Sequence, residues 1–186
     1  MSEAAAILPA EVRARITQVK ERIGAVGGSA GGHLAALLGA SNGVALLEGD
    51  GANPDQSSVI QAVVDIDGAV SFPDAALIEM EEKAQGATSR FLGGSYSERG
   101  LVWHEASPIT CVGPRSAPTL FLNSTAPTPI LPGRAEMSAR LRAIGIDSEV
   151  VVIPDTPHPF WLVHPWFARA LDEADRFLRR HLKDRR

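Results

Sequence analysis

Arg22-Ile-Gly-Ala-Val-Gly-Gly-Ser-Ala-Gly-Gly-His33 is the stretch that decides the fold. Ile23 to Val26 reads as a short apolar strand. It runs directly into Gly27-Gly28-Ser29-Ala30-Gly31, and a small apolar helix from Gly32 to Gly39 follows. The pattern G-x-S-x-G puts a serine on a tight strand-to-helix turn, an elbow that lifts its hydroxyl above the sheet as a nucleophile. Gly27 and Gly31 are expected to leave room where strand and helix backbones approach too closely for a Cβ. Ser29 then stands at a helix N-terminus, where free N–H groups and the helix dipole favour a developing oxyanion. Read alone, the same stretch also fits a glycine-rich turn that binds phosphate or only packs tightly.

The 186 residues are enough for one domain with a real core. The net charge is −4, and no basic cluster is larger than Lys183-Asp-Arg-Arg186, so nucleic-acid binding has no support. The single cysteine, Cys111, excludes an intrachain disulfide and a cysteine-based metal cluster; it is expected to be a small buried hydrophobe. No run of roughly 18 apolar residues exists for a spanning helix. Met1 to Ala10 lacks the cationic start of a signal peptide. The residues name no compartment, and the chain as given reads as cytoplasmic.

Glu11 to Arg22 carries Val12, Ile16 and Val19 at helical spacing. After the elbow helix, Ser41 to Ser58 is rich in Gly, Asn, Asp and Ser and reads as a loop with a short helical piece at Val44–Glu48. Val59–Val64, Thr119–Leu122 and Glu149–Ile153 are the further strands. Residues 72–112 read as an irregular insertion over the top of the sheet, with short helices at Ala75–Ala84 and Thr88–Leu92. Asn123 to Gly133 is a proline-rich loop. Arg134–Ile144 is a helix ended by Gly145. Pro165–Leu182 is an amphipathic helix with Trp166, Ala170, Leu171, Ala174, Phe177 and Leu178 facing inward. Strands alternating with helices mean an α/β fold, a parallel sheet of about four strands flanked by helices. Ligands bind such sheets beyond the carboxyl ends of the strands. Ser29, Asp65, Asp67, Asn123 and His158 all follow strand ends and are expected to share one rim.

These features together resemble the α/β-hydrolase superfamily, and within it the esterases related to acetyl-xylan, feruloyl and pectin acetylesterases. The residues that carry the resemblance are Gly27-Gly-Ser-Ala-Gly-Gly-His-Leu-Ala35, Ala62-Val-Val-Asp-Ile-Asp-Gly68, Phe91-Leu-Gly-Gly94, His104-Glu-Ala-Ser-Pro108, Ala117-Pro-Thr-Leu-Phe-Leu122, Gly133-Arg134 and Pro154-Asp-Thr-Pro-His-Pro-Phe160. The resemblance implies Ser29 as nucleophile and His158, between Pro157 and Pro159, as general base. The superfamily usually places its acid after the third of these strands, but Asn123 to Gly133 contains no carboxylate. Asp67, Asp65, Glu136 and Asp155 are the substitutes, and Asp67, just before Gly68, is preferred. Ala30 N–H is the expected oxyanion donor.

A complete fold of this kind has several strands before the elbow. The chain therefore reads as a single domain over 1–186 that is N-terminally truncated, with the 72–112 insertion over the active-site rim. The strand at Ile23–Val26 would present an open apolar edge, inviting self-association. The leading function is a serine carboxylesterase acting through an acyl-enzyme on acetyl or methyl esters of plant polysaccharide. Gly28, Arg134 and Trp161 are the expected substrate contacts: an arginine fork suits an acidic sugar, and Trp103, Trp161, Trp166 and Tyr96 offer stacking faces. A catalytically inactive remnant serving as a binding module and a prolyl-oligopeptidase-like serine peptidase are the alternatives. No metal or cofactor is expected, and neither nucleic acid nor membrane is an expected partner.

Overall fold

The computed structural model describes residues 22–49, 56–84, 86–125 and 133–183. Except for Arg22, the helix expected at Glu11–Arg22 lies outside them, as does most of the Asn123–Gly133 loop. Strands β1 (Gly24–Gly28), β2 (Ala62–Ile66), β3 (Thr119–Asn123) and β4 (Ser148–Val152) form one four-stranded sheet in the order β1-β2-β3-β4. Every neighbouring pair is parallel. Between the strands lie α1 (Ala30–Ala40), α2 (Ala45–Glu48), α3 (Ala75–Ala84), α4 (Ala87–Leu92), α5 (Tyr96–Glu105) and α6 (Arg134–Ala143), with α7 (Trp166–Leu182) after β4.

The alternation of side chains along the strands divides the core into two layers. Ala62, Val64, Ile66, Leu120 and Leu122 face α7, where Ala170, Ala174 and Phe177 complete the layer with Phe160. On the opposite face Phe121 meets Ala36 and Ala40 of α1 and Met137 and Leu141 of α6. Val63 packs there against Ala35 of α1. Arg176 and Arg180 of α7 also pair with Glu149 of β4. Such half-exposed pairs contribute at most about 1 kcal/mol. Burying one side chain the size of Phe177 is worth roughly 1.5–3 kcal/mol, so the apolar stripe is what docks α7. Leu171 departs from that stripe: it is 55% exposed, contrary to the expected inward face. Cys111 is half-buried at the margin of the α1–α6 layer. At the β1 edge, Val26, Leu34 and Leu38 are about half exposed.

Residues 72–112 are more regular than their composition suggests. α5 was not expected; its signal is Ser95-Tyr-Ser-Glu98, a reciprocal capping box in which Ser95 N–H donates to the Glu98 carboxylate at 2.9 Å. α4 is started by Glu81 of α3, which accepts N–H bonds from Thr88 and Ser89. Phe72, Leu77, Leu92 and Trp103 give the segment a small core of its own. His33 of α1 pins it to the sheet domain. The His33 ring packs against Phe72, and its Nε2–H donates to the Ala106 carbonyl at 2.8 Å. Burial pushes the pKa of His33 below its ordinary value, in keeping with this neutral donor role.

The junction of β1 with α1 is set by glycines. A Cβ on Gly27 would lie 2.1 Å from the Gly31 carbonyl oxygen, and one on Gly32 would lie 2.4 Å from Asp65 Oδ1. Gly31 itself faces open space, so the expectation that both elbow glycines answer to crowding is corrected: Gly27 does, and Gly31 does not. Asp65 lies on β2 beneath α1, fully buried, with Oδ1 accepting the Gly68 N–H at 2.6 Å and Oδ2 without a partner. Desolvation pushes its pKa up to about 7.

Two measurements follow from this packing. Gly27→Ala should lower the urea midpoint by the equivalent of about 1–3 kcal/mol, the usual result of overpacking. Gly31→Ala should be neutral or stabilising by up to about 1 kcal/mol; equal losses in both variants would contradict the glycine assignment. For Asp65, the folded state keeps a proton between the ordinary carboxylate value and about 7, so its contribution to stability falls as pH rises through that window. Asp65→Asn should therefore gain stability relative to wild type between about pH 4 and pH 7 and hold the gain above it. A constant difference across that range would refute the assignment.

Candidate active site

Hydrogen bonding continues one residue beyond the strands and delivers two side chains to the same rim. Gly28 is in register with Ile66, and Ser29 N–H donates to the Ile66 carbonyl at 2.8 Å. Ile66 is in register with Leu122, and Asp67 N–H donates to the Leu122 carbonyl at 3.0 Å. Both residues then leave the sheet with positive φ, 55° at Ser29 and 52° at Asp67. Such backbone is disfavoured for residues with a Cβ by on the order of 1–3 kcal/mol and concentrates at functional sites.

Ser29 occupies the N-cap of α1, where a serine hydroxyl ordinarily accepts a helical N–H. Here it makes no cap bond. Its Oγ lies 3.0 Å from His158 Nε2 instead. His158 comes from the loop after β4. Phe160, two residues on, is fully buried, and its N–H donates to the Pro157 carbonyl at 3.1 Å, fixing the turn that carries the histidine. The other ring nitrogen, Nδ1, lies 3.2 Å from Asp67 Oδ2. A carboxylate only accepts, so Nδ1 carries the proton and Nε2 is free to accept from the Ser29 hydroxyl. The remaining Asp67 oxygen, Oδ1, accepts from Ser124 N–H at 2.9 Å and Arg134 Nη1 at 3.1 Å. Asp67 is fully buried, whereas the His158 side chain is 27% exposed.

Of the four carboxylates considered for the third position, only Asp67 meets His158. Asp65 bonds to Gly68, and Glu136 pairs with Arg140 on the surface. Asp155 is exposed at a turn with φ 56°. Ala30 is the first residue of α1, directly after Ser29, so its N–H is one of those with no intrahelical partner. Trp161 packs over Gly28, where a Cβ would come within 2.3 Å of the indole, and meets the His158 ring edge-on at 5.3 Å. Gly28 and Trp161 therefore wall the site together. Trp103 is wholly buried in the 72–112 segment and presents no stacking face. Trp166 packs on the α7 layer, and Tyr96 bonds His104. Arg134 engages Asp67 through its guanidinium, and its side chain is 12% exposed. The backbone N–H of Ser124 carries no sequence signal and was not foreseen. Among the described residues no group of three His, Cys, Asp or Glu could hold a metal ion, and no helix is long and apolar enough to cross a membrane.

Solved structures with the same fold include a truncated carbohydrate esterase from gut microbiota, at TM-score 0.63 and 21% identity over 84% of this chain and 59% of that one. A bifunctional GH43-CE protein of Bacteroides eggerthii matches at TM-score 0.65 and 26% identity, over 85% of this chain and 21% of that one. A thermophilic esterase of Thermogutta terrifontis, solved with butyrate bound, matches at TM-score 0.62 and 22% identity, over 82% of this chain and 54% of that one. The chain thus spans well under two thirds of the length of each. No curated protein matches. The BD-FAE family model matches residues 13–136, a stretch that contains the elbow, Asp67 and Arg134. The chain belongs to the BD-FAE family, an α/β-hydrolase-like esterase domain with helices on both faces of a parallel sheet.

Proposed function

We propose that this chain is a serine esterase that works through an acyl-enzyme, with Ser29 as nucleophile, His158 as general base and acid, and Asp67 as the carboxylate that orients the histidine. The observation that carries the reading is the unbroken path from Asp67 Oδ2 through the His158 ring to Ser29 Oγ, in steps of 3.2 and 3.0 Å. These are the reach and order needed for proton transfer from a hydroxyl to an imidazole.

In the first step Ser29 Oγ bonds to the ester carbonyl carbon while its proton moves to His158 Nε2. Negative charge gathers on the carbonyl oxygen and is met by Ala30 N–H and the N-terminus of α1. Collapse of this intermediate breaks the bond to the alcohol oxygen, which leaves with the proton from Nε2. Water then attacks the acyl-Ser29 carbonyl and gives a proton to Nε2. The acid departs, and the proton returns to Ser29. Asp67 remains a carboxylate throughout, stabilising the imidazolium. Carbohydrate esters are the substrate class, supported by the description of one similar structure as a carbohydrate esterase. The partly buried indole of Trp161 beside the reacting groups supplies an apolar wall for a small acyl group or a sugar ring.

The test is hydrolysis of p-nitrophenyl acetate and acetylated xylan beside peptide anilides. Ester turnover should fall to background in Ser29→Ala. It should fall on the order of 10⁴-fold in Asp67→Asn, which would favour the wrong imidazole tautomer, and stay within twofold of wild type in Asp155→Asn. Equal rates in wild type and Ser29→Ala would refute the proposal, and preferential cleavage of the anilides would replace the ester reading with a peptidase.

A further inference from the structure

The structure assigns Arg134 a role of its own: we infer that it is a positioning residue, which holds the buried Asp67 carboxylate in the orientation that presents Oδ2 to His158. This rests on the triad reading above and extends it to a residue on a separate helix.

Asp67 divides its two oxygens. Oδ2 faces His158, while Oδ1 accepts two donors, Ser124 N–H at 2.9 Å and Arg134 Nη1 at 3.1 Å. Two donors from different elements on one oxygen fix the rotation of the carboxylate plane, and the direction of the other oxygen follows. Without them, the carboxylate on its single-residue, positive-φ turn has only the histidine to orient it.

Charge gives a second reason. Asp67 is fully buried, and Asp65, two residues back on β2, is equally buried. An unpaired carboxylate in such a place is strongly disfavoured, and so is leaving one behind by removing its buried partner. Arg134 supplies the opposite charge at bonding distance to Asp67 and also acts on Asp65, lowering its pKa against the larger effect of burial. Among the described residues the charged and titratable groups facing Asp67 are thus Asp65 on β2, Arg134 on α6 and His158 on the loop after β4.

The placement of Arg134 is built in. It opens α6 directly after Gly133, which has φ 90°. A Cβ on Gly133 would lie 2.7 Å from Ser71 Cβ, so the start of α6 presses against the chain that leaves Asp67. One turn later Met137 is fully buried under the sheet and anchors the helix. Glu136 does not compete for the guanidinium, because it pairs with Arg140.

The experiment compares wild type with Arg134→Gln and Arg134→Lys by two readouts. The first is the titration of the His158 ring followed by NMR, which needs no turnover. The second is the pH profile of kcat and KM on p-nitrophenyl acetate. Removing the positive charge leaves the Asp67 charge less neutralised, so the His158 midpoint should rise in Arg134→Gln and the acid limb of the rate profile should move up with it. kcat should fall about 10- to 100-fold, as expected for a small misplacement of a reacting group, with KM within twofold. Arg134→Lys keeps the charge but not the Nη1 donor at its place on Oδ1, so it should show a smaller His158 shift and recover part of kcat. An unchanged His158 midpoint in both variants, or a rise in KM alone, would overturn the inference. If Arg134→Gln does not fold, Arg134→Lys decides by the same criteria. Absence of Ser29-dependent turnover in wild type would strike the triad reading alone, since the His158 titration still tests the effect of Arg134.

Discussion

The approach of Gly27 to the backbone of Gly31 is the contact on which the rest of the site depends. A side chain at Gly27 would overlap the Gly31 carbonyl. Its absence lets β1 turn into α1 within one residue. That turn forces Ser29 to φ 55° and ψ −120° and leaves its hydroxyl outside the helix rather than capping it. Gly32 extends the same logic one step inward, because α1 can settle onto β2 only where Asp65 meets no Cβ. The position of the Ser29 hydroxyl is thus a consequence of backbone packing.

Two carboxylates on the same strand end have different fates because their surroundings differ. Asp65 receives one backbone N–H and no direct cation, and burial pushes it toward the protonated form near neutral pH. Asp67 receives a backbone N–H, an arginine and a histidine, so each of its oxygens is matched by donors. Donors surround one acid and are withheld from its neighbour, so the two carboxylates differ in environment although they stand two residues apart. Strand register does the remaining work, since the ladder bonds of Ser29 and Asp67 bring residues far apart in sequence to one rim.

Much of this was legible in the sequence, and the boundary is physical. The elbow, the strand–helix alternation and the preference for Asp67 all rest on local pattern: glycines at a turn, short apolar runs, and an acid placed just past a strand. Strand ends shifted by a few residues, as at β2, where hydrogen bonding to β1 and β3 rather than hydrophobicity sets the limits. α5 escaped notice because its apolar residues are sparse, and its capping box is a polar signal. Trp103 was read as a stacking face but lies in the small core of the 72–112 segment. An arginine near a rim suits an anion, and the sequence does not say which one. Only the register of β2 with β3 and the start of α6 reveal that the anion is Asp67.

The mechanism proposed above has Ser29 activated by the path from Asp67 through His158. The most direct test is to treat the protein with a fluorophosphonate and map the adduct by peptide mass spectrometry, alongside His158→Gln. One adduct per chain on Ser29, formed far more slowly in His158→Gln, is the result the account predicts. No adduct, an adduct on another residue, or labelling at the same rate in both proteins would contradict it.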